Sequence, residues 1–495
     1  MFTLSEIPII GIILLIAFGI LGWGFYRARP FGKLGILAWL QSVVLITPWL
    51  LFLSLFAAGI YINILGILIL VITSAALYVF LGRQLRAAGQ NEIIKQKATE
   101  RLAAKSSPDP NHTPQPVIEQ LNTAPLAIPE DDLNAIKSIF GIDTFFATET
   151  ISYQEGAIFK GNLRGEPQDV HQRLTASLQA KLAHQYRLFL VDGTEGKPVV
   201  IILPSRNDPP PMSLQQKTLA VILLIATIAT TLETAGLLFN FDLFTTPQRY
   251  LETLPIATGI LAILATHEIG HWLLARRHHI RLSWPFLLPS VQIASFGTIT
   301  RFQSLLPNRK VLFDIALAGP AAGGILSLLT LILGLLLSRP DSLFQLPNQF
   351  FQSSILVGSL ARVVLGSALQ SPTVSIHPLV VIGWLGLVIN ALNLMPAGQL
   401  DGGRIVQAIY GRKTAARATT ATLIFLLLIS LTSPIGIYWA VVILFLQRNL
   451  ERPSLNEISE PDDARAALGL LALFLMITTL LPLTPGVAIR LGIGG

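Results

Sequence analysis

The sequence predicts an all-α polytopic membrane protein of about nine to ten transmembrane helices, with a small soluble α+β domain inserted before its membrane core. Three observations carry this. Hydrophobic residues make up 52% of the 495 and charged residues only 13%, a balance foreign to soluble domains. Apolar runs long enough to cross a bilayer recur along the chain, and one sizeable polar stretch, residues 83–214, interrupts them. The net charge of +7 comes from basic residues in short loops beside apolar runs and not from one soluble face. That pattern points to topogenic charge and the lipid bilayer as surroundings, and against nucleic acid as a partner.

Three apolar spans open the chain, roughly Pro8–Tyr26, Leu37–Ala58 and Tyr61–Leu81, and give an N-terminal membrane region over residues 1–82. Residues 83–135 read as a charged helix followed by a Pro/Ser/Asn-rich linker that includes Pro108, Pro110 and Pro116. Residues 136–212 form the soluble domain. Strands are expected at Ala157–Gly161, Arg187–Asp192 and Pro198–Leu203, with a helix at Gln168–His184. Further spans follow at about Leu219–Phe239, Pro255–Ala275, Val311–Leu337, Pro378–Met395, Thr419–Ser433, Ile435–Leu446 and Ala466–Leu481. Residues 213–450 thus make the membrane core, and 451–495 a C-terminal loop and helix.

Placing the N-terminus outside gathers Arg27, Arg29, Lys33, the polar stretch, Arg276, Arg277, Arg281, Arg301, Arg309, Lys310, Arg404, Arg412, Lys413, Arg417, Arg448 and Arg452 on the inner side. No Arg/Ser-rich transit peptide precedes the first span. A bacterial, cyanobacterial-type plasma or thylakoid membrane is therefore expected, with the soluble domain on its cytoplasmic side.

The chemistry centres on His267-Glu268-Ile269-Gly270-His271 in the run from Ile256 to Ala275. At 3.6 residues per turn the two imidazoles share one helical face and can hold one metal between them. Glu268 is placed to take a proton from water activated by that metal. Flanking Ile263, Leu264, Trp272 and Leu273 make the helix apolar, where three ionisable groups are costly and mark a functional site. The chain has no cysteine, so a third ligand must be His, Asp or Glu. Asp401, in Leu400-Asp401-Gly402-Gly403, is the favoured candidate. It lies at the inner end of the span Pro378–Met395, where Pro396, Gly398 and the Gly402-Gly403 pair are expected to break the helix. A plain turn is the alternative. Asn393 can bind a substrate backbone or a developing oxyanion, or can cap the helix end.

His267-Glu268-x-x-His271 in one apolar helix, with Asn393-x-x-Pro396 and Leu400-Asp401-Gly402 in a later segment, resembles the site-2 protease family of intramembrane zinc metalloproteases. Gly161-Asn162-Leu163-Arg164-Gly165, Ser295-Phe296-Gly297 and Phe313-Asp314-Ile315-Ala316-Leu317-Ala318-Gly319-Pro320 are similar to the plastid and cyanobacterial "ethylene-dependent gravitropism-deficient and yellow-green" branch. The resemblance covers roughly residues 140–450. It implies one Zn2+ held by His267, His271 and Asp401, Glu268 as general base and then acid, Asn393 beside the substrate, and a transmembrane protein substrate cut near its inner end. No PDZ- or CBS-type insertion is evident.

The stretch Pro285–Thr300 is apolar but too broken to span, and is expected to form a hairpin or re-entrant loop lining the cavity. There Ser295, Phe296 and Gly297 would receive an unwound substrate as an added strand. Gly319, Pro320, Gly323 and Gly324 suggest close helix packing, with a gating hinge as alternative. His278 and His279 read as interfacial loop residues, and Gly161–Gly165 as a tight turn or a contact made by Arg164. A membrane transporter or metal carrier using the same His and Asp groups is the competing function.

Overall fold

The computed structural model describes residues 19 and 21–57, some positions between 70 and 85, and 128–493 apart from 154, 194–195, 431–433 and 445–448. Most of the first and third spans, the charged helix after residue 85 and the Pro-rich linker lie outside the described residues. The chain divides into two compact units. One comprises Met1–Thr123, Ala466–Leu471 and Thr484–Leu491; the other comprises Ala124–Arg465, Ala472–Leu483 and Gly492–Gly495. In the first, helix α1 (Gly32–Ala57) contains the expected second span.

The second unit opens with helix α2 (Glu130–Lys137), strands β1 (Phe145–Tyr153) and β2 (Gly156–Leu163), helix α3 (Pro167–Leu182), and strands β3 (Tyr186–Asp192) and β4 (Pro198–Pro204). The four strands form an antiparallel sheet in the order β1-β2-β4-β3. Phe145, Phe159, Leu190 and Ile202 from the sheet bury against Leu174 and Leu178, one turn apart on α3, and against Ile136 of α2. Strand β1 carries no clear alternation (Phe145-Phe146-Ala147-Thr148-Glu149-Thr150), which is why sequence periodicity passes over it. The Gly161–Gly165 segment departs from the expected tight turn. Gly161 to Leu163 continue β2, and the turn is confined to Gly165, at φ +119. Gly161 is required by crowding, since a Cβ there would meet the Phe146 carbonyl at 2.1 Å.

Helices α4 (Leu214–Leu238), α5 (Tyr250–Arg277) and α6 (Arg309–Leu337) follow, with strands β5 (Phe286–Ser290) and β6 (Ala294–Ile299) paired as the expected hairpin between α5 and α6. Ser213 caps α4 in a reciprocal box with Gln216, and Asn308 caps α6 through Val311 N. A second small hairpin, β7 (Phe344–Pro347) with β8 (Thr373–Ile376), encloses helix α7 (Ile355–Leu365). Sequence reasoning did not foresee these three elements, because they are short and apolar without a distinct period. Helices α8 (Pro378–Asn393), α9 (Asp401–Ile429), α10 (Pro434–Val442) and α11 (Asp463–Leu480) complete the fold.

Among the described residues, four helices are long and apolar enough to cross a membrane: Leu214–Leu238, Pro247–Arg277, Arg309–Leu337 and Asp463–Leu480. The expected break at Gly402-Gly403 is not there. The chain turns over Leu394–Leu400, with Gly398 at φ +50, and the glycine pair falls in the first turn of α9. A Cβ on Gly402 would lie 1.8 Å from the Leu394 carbonyl, so the pair lets a helix start against the turn before it. The irregularity within α9 comes at Gly411, at φ 78. Asp401 therefore opens a helix and does not end one.

Two expected loop arginines are buried in the fold. Arg309 donates to the carbonyls of Ala408 (2.7 Å) and Ile409 (2.8 Å), and Arg404 lies beside Asp401. The segment after residue 450, expected as loop, is pinned on two sides. Leu190 N donates to Leu455 O (2.7 Å) and Glu457 N to Leu190 O (2.9 Å), extending the free edge of β3. Leu455 N also donates to Leu306 O at 2.8 Å. One strap thus links the sheet to the chain entering α6.

Helix α6 packs between α5 and α8. Backbones touch where glycine allows it: a Cβ on Gly383 of α8 would sit 2.4 Å from the Leu331 nitrogen of α6. Gly383→Ala is expected to overpack this contact at a cost of ~1–3 kcal/mol and to lower the unfolding midpoint in detergent. An unchanged midpoint would mean that the two helices do not rely on this approach.

Candidate metal centre and active site

His267 and His271 are both buried on α5, one turn apart, with ring centroids 4.8 Å from each other. The Nδ1 of His267 meets Asn390 Oδ1 at 2.8 Å, and the Nδ1 of His271 meets the Ile315 carbonyl at 2.7 Å. A carbonyl oxygen only accepts, so the His271 Nδ1 carries the proton. The Asn390 amide nitrogen donates to the Gly386 carbonyl (2.8 Å), which leaves its oxygen to accept from His267 in the same way. Both Nε2 atoms therefore present lone pairs. They face each other at 3.1 Å, and each lies 3.3 Å from Asp401 Oδ2.

Three lone-pair atoms held this close in a buried place repel one another unless a cation or a shared proton sits among them. Zinc bonds of ~2.0–2.1 Å in tetrahedral directions set ligand atoms ~3.3 Å apart. The donor set and its spacing fit that ion. The ligand atoms of His267, Glu268 and His271 also lie within 4.8 Å of one another.

Glycines make room for this arrangement. Gly319 and Gly323 of α6 are four residues apart and face α5. A Cβ on Gly319 would meet His271 Nε2 at 2.2 Å, and one on Gly323 would meet Asn390 Oδ1 at 2.7 Å and His267 Cβ at 3.0 Å. The small-residue stripe is a packing device, as expected, and its particular service is to seat the two histidines.

Glu268, half-buried, points to the hairpin side. Its Oε1 accepts a close hydrogen bond from the Thr298 hydroxyl and its Oε2 one from Thr300 at 2.8 Å. Thr298 lies near the end of β6 and Thr300 just after it, so the hairpin and its exit hold this carboxylate in place. A cavity of about 730 Å³ adjoins it, lined by Trp272, Arg276, Trp284 and Thr300 among others. The hairpin is fixed in turn by α4, whose Thr230 and Thr234 hydroxyls donate to the carbonyls of Ala294 (2.9 Å) and Val291 (2.8 Å).

Asn393 is buried on the same face of α8 as Asn390, and its amide nitrogen has no hydrogen-bond partner among the described residues. It rests on Gly297, where a Cβ would come within 2.2 Å of that nitrogen and where φ is +98. Only glycine suits both demands. Ser295 turns its hydroxyl to the Leu288 carbonyl (2.9 Å), and Phe296 buries its ring against Trp439 at 5.6 Å. These two side chains shape the hairpin from within. Outside the centre, His278 lies 3.6 Å from Asp314, whose carboxylate is also gripped by Arg465 at 2.7 and 2.8 Å.

Asn390, Ile315, Thr298, Thr300 and Arg404 are the contributors that sequence reasoning missed. Asn390 had a signal, since it lies three residues before Asn393 on one helical face. Nothing in the sequence marks a backbone carbonyl.

Residues 255–432 match the model of Peptidase family M50, and residues 134–209 that of the EGY3 middle domain. The chain is 38% identical over 376 residues to the probable chloroplastic zinc metalloprotease EGY2 of Arabidopsis thaliana, covering 72% of this chain and 66% of that one. It is 37% identical over 402 residues to probable zinc metalloprotease EGY1 of the same plant, covering 73% of each. To the probable zinc metallopeptidase EGY3 it is 31% identical over 395 residues, covering 74% of this chain and 68% of that one. No solved structure matches the chain. The peptidase match spans both histidines, Glu268, Asn393 and Asp401, and with relatives alike over most of their length it settles the kinship: the chain belongs to Peptidase family M50, the site-2 proteases.

Proposed function

We propose that this chain is an intramembrane zinc metalloendopeptidase that hydrolyses peptide bonds of transmembrane proteins near the inner side of the bilayer. The observation that carries the reading is the triangle of two imidazole Nε2 atoms and Asp401 Oδ2, 3.1 to 3.3 Å on each side. His267, His271 and Asp401 would hold one zinc ion. When bound there, zinc supplies a Lewis acid that activates water and polarises the scissile carbonyl.

The chain's own groups do the rest. Glu268 takes a proton from the attacking water and returns it to the leaving amine. The Thr298 and Thr300 hydroxyls aim that carboxylate. Asn393 offers its unpartnered amide N–H to the substrate carbonyl as negative charge grows on its oxygen. The backbone of Ser295, Phe296 and Gly297 receives the substrate as an extended strand, because a peptide bond in an intact helix is shielded from attack. The transporter or metal-carrier alternative has no support among the relatives, which are named as proteases.

The depth of the site supports cleavage within the membrane. Helix α8 has 16 residues, ~24 Å at 1.5 Å per residue, against a hydrocarbon core of ~30 Å. Its end at Asn393, and the turn to Asp401, would therefore lie inside the bilayer. We infer a polytopic chain of nine to ten spans with the soluble domain on the inner side. The relatives are named chloroplastic, and nothing among them supports the bacterial origin expected from the sequence; a plastid-type membrane is the better reading.

Three outcomes test this. Glu268→Gln should keep stoichiometric zinc while cleavage of a transmembrane reporter falls ~10²–10⁴-fold; activity near wild type would remove Glu268 as the base. Asn390→Ala leaves the His267 Nδ1 proton without its acceptor and should weaken zinc binding ~10–100-fold in chelator competition. Unaltered affinity would show that the amide does not orient the ring. Replacing both Ser295 and Gly297 with Pro should abolish cleavage at normal zinc content, and cleavage at wild-type rate would dismiss the strand-docking role.

A further inference from the structure

Arg404 carries no chemistry in the reading above, yet it is buried and three of its arms are engaged around the site. Its Nη1 lies 3.7 Å from Asp401 Oδ1, the carboxylate oxygen turned away from the histidines. Its Nη2 donates to the Thr300 carbonyl at 2.7 Å, and the hydroxyl of the same Thr300 donates to Glu268. Its Nε and Nη2 both reach Glu451 Oε2 at 3.0 Å, and its guanidinium lies over the Phe302 ring at 4.7 Å.

We propose that Arg404 is a positioning residue that sets the Asp401 carboxylate toward the histidines and holds the end of the β6 hairpin that aims Glu268. The inference rests on the zinc reading of the centre. A carboxylate ligand can bind through one oxygen or swing to present both. A cation beside Oδ1 fixes the first arrangement, with Oδ2 alone facing the Nε2 pair. At 3.7 Å the contact is too long for a hydrogen bond, so it orients Asp401 without drawing away its charge. Glu451, closer at 3.0 Å, takes up most of the guanidinium's charge and keeps it from competing with the metal. A planar fork can serve Asp401, Thr300 and Glu451 at once, in three directions. A lysine ammonium on a flexible stem cannot. One side chain thereby ties the third ligand to the strand that holds the base, although the two lie on segments about a hundred residues apart.

The test uses the full-length protein in detergent, with zinc itself as the probe. Zinc affinity is measured by chelator competition and the thermal unfolding of the metal-free protein beside it. R404Q is expected to bind zinc ~10–100-fold more weakly than wild type, and R404K to fall between the two. R309Q is the comparison: Arg309 is as deeply buried and serves the Ala408 and Ile409 carbonyls without touching the centre. It should lose thermal stability and keep wild-type zinc affinity.

Wild-type zinc affinity in both Arg404 variants would overturn the proposal. So would an equal loss of affinity in R309Q, because the effect would then report general destabilisation. Should R404Q fail to fold, R404K decides; if neither folds while R309Q does, Arg404 is structural and the proposal falls. A wild-type protein that binds no zinc would instead overturn the proposed function, leaving a result distinct from all of these.

Discussion

Two imidazoles and a carboxylate, each with a lone pair aimed at the same point, are the constraint around which this fold is built. Neither histidine is free to turn. The Ile315 carbonyl holds one ring and the Asn390 amide the other, and Asn390 is itself held by the Gly386 carbonyl. Every one of these partners lies on α6 or α8, so the packing of those helices against α5 orients the site. The glycines follow from the same demand. With a methyl group at position 319 or 323, α6 could not approach α5 closely enough for the Ile315 carbonyl to reach His271. Close packing and metal-site geometry are here one requirement.

Glu268, the proposed base, is organised separately. Glu268 leaves the same helix as the histidines, but its partners come from β6, and β6 is braced by threonines of α4. Irregular backbone is tolerated at membrane depth only when its polar groups are satisfied within the protein. The hairpin meets that condition through Thr230, Thr234 and the Ser295 hydroxyl, while the Asn393 amide beside it keeps an unused donor. An unpartnered buried donor beside the hairpin is costly to folding and suits a group reserved for substrate.

How much of this was legible in the sequence depended on the range of the signal. The histidines and Glu268 could be proposed because a four-residue spacing fixes a helical face. Asp401 could be favoured as third ligand because cysteine is absent and acidic residues in the spans are few. Its local setting was misread: glycine pairs suggest a break, whereas here they permit tight entry into a helix. The hairpin at 286–299 was legible from broken apolarity. Strand β1 and the β7–β8 hairpin were not, because pairing partners and not local period decide them. Arg404 and Arg309 show the same limit for charge. The positive-inside rule counts an arginine near a span end as a loop cation, and nothing in one sequence reveals that the fold has buried it among carbonyls.

The buried charges around the proposed centre favour a cation there, as its ligand geometry does. Asp401 and Glu451 are buried, and Glu268 is partly so; Arg404 is the guanidinium that faces the first two. Two buried carboxylates against this one guanidinium leave a negative charge to be offset in a region of low dielectric, where unpaired charge is expensive. A cation at the point where the proposed ligand atoms converge would offset it. Folding of the core and loading of that metal would then be coupled, because the helices bring together groups whose close approach the shared ion favours.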